Sequence, residues 1–592
     1  MHFALNPFQE RAVESDGHCT ILACPGSGKT RVLSTRASRL LEKNRIGRLC
    51  AVTFTRDAAE ELRNRILETS GDEHTKRLVV GTFHSLALAQ LKRHYGRKLP
   101  RLLSEGERLS VLRRCWKHHA AHMEFEEIVK AIDAAKAKVS PHPFSDPAIE
   151  LSAKEYESLL ASEGGMDFSD LLLFAIKKMQ AGEMQPLPIK WLLVDESQDM
   201  DEVQMEWILL HGRAGAEITL VGDDDQSLYA FRHAMGYAGL QEITFALASM
   251  EVTLPVNYRC AQNILEHAAR LIAHNKNRAE KKIVAHRTDQ GKISILRLAD
   301  RDGEADTLTR TILEDAKDAQ WAVLARTNTI LDDMEVGLLS YGVPVQRSGG
   351  KSIWEHSIGS TFIGLMRSVH DNTWVGIANA LQFAGVNEEW INGQSKASKG
   401  YCEQRLDDAV ANSSPDSTEH RVTRQLRAGI TAWRDLIVGN RINLAIHGIA
   451  AFLSEYCKPK HKPILQQLER SVTKLKGTLG QRLAYLSNSG NKAETRQAVQ
   501  LMTLHASKGL EFDNVWIVGC EDGNIPHTDS PEEDERRLLY VGMTRARHRL
   551  VLSSATEEGF ESHFLQEAGL LTSTTSTTKS GVEASPGSTC RQ

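Results

Sequence analysis

Short apolar runs alternate along this chain with longer stretches whose apolar residues recur every three or four positions. Residues 19–24, CTILAC, form such a run, and TRVLSTRASRLLEK after them has helical spacing. The pattern predicts strands at 19–24, 49–54, 78–82, 191–194 and 218–221, with helices such as RDAAEELRNRILE between them. A second set of strands falls at 293–296, 322–325, 499–504, 515–518 and 550–553. Strands alternating with helices imply an α/β fold of doubly wound parallel sheets. Residues 89–167 and 366–496 read as mostly helical insertions, the second one short. The expected layout is a first α/β domain over 1–88 and 168–250 and a second over 251–365 and 497–565, each carrying one insertion. The Ser/Thr/Gly-rich end, within 566–592, has too little apolar content to order itself and is expected to be a disordered tail.

Composition narrows the function classes. The 592 residues suit about four folding units at roughly 150 each. Net charge is −4, from 72 basic and 76 acidic side chains, so a nucleic-acid partner would need a local groove. No apolar run reaches the roughly 18 residues of a membrane span. The start, MHFALNPFQERAV, lacks the plan of a secretory signal, so a cytoplasmic chain is expected. Nine scattered cysteines form no CxxC pair, which predicts free thiols in a reducing compartment and no structural metal. His118, His119 and His122 read as a solvated helix face.

The chemistry begins at ACPGSGKT, residues 23–30. In such a loop Gly26 and Gly28 let the backbone through Ala23, Cys24, Pro25 and Ser27 curl so that its N–H groups surround phosphate oxygens at a helix N-terminus. Lys29 would reach the terminal phosphates and the Thr30 hydroxyl would ligate Mg²⁺. Ala23 stands where the strict pattern has Gly. A partner carboxylate follows in WLLVDESQD: Asp195 is placed to hold Mg²⁺ and Glu196 to orient and deprotonate the attacking water. The strand ITLVGDDDQS ends in three aspartates and Gln226, whose amide suits sensing of a γ-phosphate or holding of the attacking water. Arg259 in NYR and Arg545 in GMTRARHR are the guanidinium candidates for developing phosphoryl charge.

Taken in order, these motifs resemble superfamily 1A DNA helicases of the UvrD/Rep/PcrA family. LNPFQERAV, ACPGSGKTR, AVTFTRDAAEEL, GTFHSLA, VDESQD, VGDDDQSLYAFRHA, LPVNYR, VLARTN, LMTLHASKGLEFDNVWIVG and LLYVGMTRARHRL span nearly the whole chain. The resemblance implies two RecA-like P-loop motor domains, 1A and 2A, with ATP between them, and helical insertions 1B and 2B. It implies movement 3′→5′ along single-stranded DNA. It assigns Gln9 to the adenine edge, Arg31 and Tyr258 to its faces, and Glu511 to the ribose. Arg259 and Arg545 become fingers that reach the γ-phosphate from the second half. DNA-contact candidates are Phe54, Tyr229 and Phe231 as stacking platforms, with Thr82, His84, Arg232, Arg326, Asn328 and His505. Phe231 stands where the family usually has Trp.

Three features depart from the family. AVTFTRDAA places Arg56 and Asp57 where an Asn-Lys pair is common. The second insertion has no GIG-type duplex-binding turn; its most basic stretch is KPKHKPILQQLERSVTKLKG. After the last motif, SSATEEGFESHFLQE passes from strand to helix without the hairpin that separates strands in relatives. The expectation is an ATP- and Mg²⁺-dependent DNA helicase acting on single-stranded and tailed duplex DNA in repair, replication or recombination. It would be nucleoid-associated and act as a monomer or dimer on DNA. The alternatives are a protein-displacing translocase that unwinds weakly, and an ATP-gated subunit of a repair or anti-phage complex with unknown protein partners.

Overall fold

The computed structural model describes residues 4–571, apart from 45, 141–142, 163, 316–318, 350–356, 398–401, 460–461 and 489–497. Two six-stranded parallel sheets organise it. The first contains β1 (Cys19–Ala23), β2 (Leu49–Thr53), β3 (Leu78–Thr82), β4 (Trp191–Val194), β5 (Glu217–Gly222) and β6 (Met250–Leu254), in the order β3-β2-β4-β5-β1-β6. The second contains β7 (Lys292–Leu298), β8 (Trp321–Ala325), β9 (Val345–Ser348), β10 (Val499–Thr503), β11 (Phe512–Ile517) and β12 (Ala546–Ala555), in the order β7-β12-β11-β8-β10-β9. β1, β2, β4 and β8 are buried along their whole length, as strands covered on both faces must be, and each is apolar apart from Thr20 in β1 and Thr53 in β2.

The strand order positions the chemistry. β4, β5 and β1 are neighbours, so the loops carrying Asp195, Gln226 and residues 23–30 leave the same sheet edge side by side. The first helix, Pro7–Glu14, is set by a capping box: the Asn6 side chain accepts from the Gln9 amide at 2.8 Å, and Gln9 Oε1 accepts from Asn6 N at 3.0 Å.

Several expected boundaries fall elsewhere. Met250–Leu254 pairs in parallel with β1, so the expected divide at 250/251 lies inside an element of the first sheet. Helix Phe83–Tyr95 buries Leu86, Ala87 and Leu91 in the first core, so the first insertion begins after it rather than at 89. That insertion is three helices, Glu105–His119, Phe125–Lys136 and Pro147–Ser162, on a small core of their own. Helix Ser357–Asp371 buries Ile358, Phe362, Leu365 and Met366 in the second insertion's core, so the expected start at 366 is too late. Residues 566–571 are not part of a tail: Phe564, Leu565 and Ala568 are buried, and Leu570 and Leu571 pack on the second sheet's core. The remaining tail residues lie outside the described residues.

β12 ends at Ala555 and helix His563–Glu567 follows after seven residues, pinned by a bridge between Glu521 and Glu561. Among the described residues no hairpin intervenes there, and no helix is long and apolar enough to cross a membrane. His118 and His119 meet Glu155 of a neighbouring helix at 3.3 and 2.8 Å, a carboxylate that spacing along the sequence did not reveal.

Candidate active site

A cavity of about 880 Å³ opens between the two halves. Gly26–Arg31, Asp195, Glu196 and Gln226 line one wall. Tyr258, Arg259, Glu511 and Arg545 line the other. The groups expected to act on one triphosphate, drawn from positions more than 500 residues apart, therefore share one space.

The loop Ala23–Thr30 has the shape its glycines dictate. Gly26 and Gly28 adopt left-handed conformations, φ 62° and 81°, which side chains with a Cβ rarely tolerate. A Cβ on Gly26 would also stand 2.7 Å from Arg259 Cβ, so this glycine is what lets the second half approach. The loop is tied across the cleft: Asn257 Nδ2 donates to Pro25 O at 2.6 Å, and Tyr258 N donates to Gly26 O at 2.9 Å. Burial pushes the Cys24 thiol up to about 12, leaving it uncharged at neutral pH. Among the described residues the buried Ser27 hydroxyl has no hydrogen-bond partner, which suits a loop built to meet phosphate oxygens.

Glu196 follows β4 with φ 52°, and Gln198 Nε2 donates to its Oε2 at 2.6 Å. Lys29 Nζ stands 3.9 Å from Glu196 and Lys508 Nζ 4.0 Å. Burial and the neighbouring Glu196 charge push Asp195 up to about 7. Burial would also raise Glu196, but Lys29 and Lys508 pull it down to about 2. Glu196 is thus held ionised, while Asp195 beside it is held well above the usual carboxylate range.

Gln226 joins the halves. Its Nε2 donates to Asp223 and its Oε1 accepts from Arg545 Nη2 at 2.8 Å. Burial, and then Arg259 close by, lower Arg545 to about 9, so it remains cationic at neutral pH. Arg259 Nε donates to Glu511 Oε2 at 2.6 Å. Glu511, expected at a ribose, is thus occupied by arginine. Gln9 is buried, and its Nε2 donates to Ser27 O at 2.9 Å, holding the helix Pro7–Glu14 against the phosphate loop. Tyr258 is half-exposed; its hydroxyl accepts from Asn6 Nδ2 at 2.7 Å and its ring lies 4.6 Å from His286.

Sequence reasoning missed a buried ionic tie between the halves. Lys281 donates to Asp223 and Asp224 at 2.7 Å each and to Ala23 O at 3.0 Å, and lies 3.1 Å from Asp225. Arg278 grips Asp225 with two bonds of 2.8 Å. Lys281 and all three carboxylates are almost wholly buried. The aspartates were visible as a run; no spacing rule pointed to a lysine 56 to 58 positions later. Lys508, which bonds Asp199 and donates to Gln226 O at 2.8 Å, lay within a quoted motif without an assigned role.

The expected DNA contacts gather near the same sheet edge and its counterpart in the second half. The Tyr229 ring has Lys508 Nζ 5.1 Å and the Arg232 guanidinium 5.4 Å from its centroid. His84 stacks on Phe168 at 4.1 Å and shares a pocket with Arg232. Phe54 sits edge-on to Phe83 at 5.7 Å and packs on the first core. Thr82 caps helix Phe83–Tyr95 through its side-chain oxygen. Arg326 is held by Glu535 at 2.9 Å, and Asn328 Oδ1 accepts from Arg347 at 3.1 Å. Burial lowers His84 and His505 to about 4, so both are neutral at pH 7. Phe231 lies in the turn Ala230–Arg232; its side chain lies outside the described residues.

Comparison with known proteins agrees with the order of these features. Residues 5–237 match the family model described as the UvrD/REP helicase N-terminal domain. Residues 252–369 and 461–557 match that of the UvrD-like helicase C-terminal domain. Similar proteins include ATP-dependent DNA helicase Rep of Escherichia coli K12, 28% identical over 93% of this chain and 91% of that protein. DNA helicase II of the same strain is 29% identical over 93% and 84%. ATP-dependent DNA helicase PcrA of Bacillus subtilis 168 is 27% identical over 93% and 82%.

Proposed function

The chain belongs to the UvrD/Rep family of helicases, and from that premise we propose a motor that moves 3′→5′ along single-stranded DNA, with the cleft residues in the roles given above. As a member of that family it couples ATP hydrolysis to DNA unwinding. The observation that carries the finer reading is the shared cavity: Lys29 and Glu196 on one wall, Arg259 and Arg545 on the other.

Lys29 binds the terminal phosphates, and Glu196, held ionised, orients water and accepts its proton. Arg545 and Arg259 stabilise charge on the transferring phosphoryl group from the second half. Gln226 reports that charge to both halves, because its amide is shared between Asp223 and Arg545. Thr30 and Asp195 fit a Mg²⁺ ion, both lining the cavity beside the unpartnered Ser27 hydroxyl. When bound, the ion neutralises phosphate charge. A triphosphate favours the closed cleft because groups from both walls bind it, and loss of the γ-phosphoryl group removes that preference. DNA lies across the C-terminal edges of both sheets, with Tyr229 as a base platform.

The direct passage from Ala555 to His563 favours a second reading, a protein-displacing translocase that unwinds weakly. One experiment separates the two: strand displacement on 3′-tailed, 5′-tailed and blunt duplexes, with ATP turnover recorded in parallel. Displacement of the 3′-tailed duplex alone is expected of the helicase. Brisk turnover on single strands without displacement would identify the translocase, and preference for a 5′ tail would overturn the polarity.

A further inference from the structure

Arg547 has no part in the reading above, yet it lines the same cavity. It lies at the start of β12, two residues beyond Arg545. Its Nη2 donates to Glu511 Oε1, while Arg259 Nε donates to the other oxygen, Oε2, at 2.6 Å. One carboxylate is therefore gripped by two guanidinium groups, one on each oxygen. Asp513 supports Arg547 from the side at 3.4 Å.

The charges explain why such a grip would form. Arg259 lies close enough to Arg545 to disfavour its charge. With no anion in the cleft, two neighbouring guanidinium groups repel, and Glu511 supplies the negative charge that steadies Arg259. A triphosphate brings its own negative charge. Arg259 must then leave Glu511 to engage the phosphoryl group, stranding a half-exposed carboxylate unless a second cation stays with it.

We propose that Arg547 is that second cation: a positioning residue that stays on Glu511 so that Arg259 can exchange between a parked position and the transferring phosphoryl group. This deepens the ATPase reading and rests on it. Arg547 touches no reacting atom. It sets how tightly Glu511 retains Arg259, because a carboxylate already paired on one side holds its other partner less strongly.

The test is ATP turnover stimulated by single-stranded DNA, measured on the full chain and on R547Q, R547K, E511Q and the double variant R547Q/E511Q. Removing Arg547 leaves Glu511 with Arg259 as its main cation, so R547Q should lower kcat roughly fivefold with little change in the KM for ATP. R547K should retain most of the rate. In the double variant no carboxylate remains to hold Arg259, so kcat should return to that of E511Q alone, whatever E511Q does to KM. A merely structural role for Arg547 would predict additive losses instead. Wild-type kcat in R547Q, or a loss that persists undiminished in the E511Q background, would overturn the proposal. Absence of DNA-stimulated turnover in the unaltered chain, or turnover surviving Lys29→Ala, would overturn the ATPase reading itself, and the proposal with it.

Discussion

Glu196 holds a backbone conformation, φ 52°, that a non-glycine residue adopts at a cost of about 1–3 kcal/mol. The bend turns its carboxylate toward Lys29 and Lys508 at the cavity wall. Glu196→Gln keeps the shape and the hydrogen-bond capacity but removes the base. It is expected to bind ATP normally while DNA-stimulated turnover falls at least about 100-fold; normal turnover in a phosphate-release assay would remove Glu196 from the mechanism. Lys281 is the other residue whose setting makes a sharp prediction. Replacing it by Met leaves three buried carboxylates of which only Asp225 keeps a salt-bridge partner, Arg278, among the described residues. The variant should lose about 3–5 kcal/mol of stability, read as an earlier urea midpoint. An unchanged midpoint would mean that the carboxylates are already neutral or solvated.

Elements were legible where a period was strong. The strands at 19–23, 191–194 and 321–325 stand out because burial on both faces favours apolar runs, and 78–82, a partly buried edge strand, stands out through its Leu78-Val79-Val80 run. β6 was not, since MEVTL is half polar and lies at a sheet edge, exposed at its first two residues. The start of the second insertion was misplaced for a different reason: helix Ser357–Asp371, whose buried residues lie in that insertion's core, begins without a compositional mark. Within that insertion, helix Ser357–Asp371 and helix Val375–Phe383 cross at two glycines. A Cβ on Gly376 would come within 1.9 Å of Gly364 O, closer than any real contact. Gly376→Ala should force the helices apart at a cost of about 1–3 kcal/mol, seen as faster proteolysis between 371 and 375. Equal proteolysis rates would show that the crossing yields without strain.

Across the whole molecule, the sequence revealed which groups attend a triphosphate because each sits in a local motif. It concealed how the halves are joined, because Lys281 with Asp223–Asp225 and Lys508 with Asp199 are pairings at a distance that no single motif contains. The Lys281 cluster is buried, while Arg232 and Asn328, among the expected DNA contacts, are exposed. Dissolved ions screen exposed charges within roughly 10 Å at 0.1 M but scarcely reach a buried pair. Raising ionic strength should therefore detach the nucleic acid while the two halves stay pinned together. The stimulated rate would decay first and the basal rate would persist over the same range; a parallel decline of both would mean that the pin admits water.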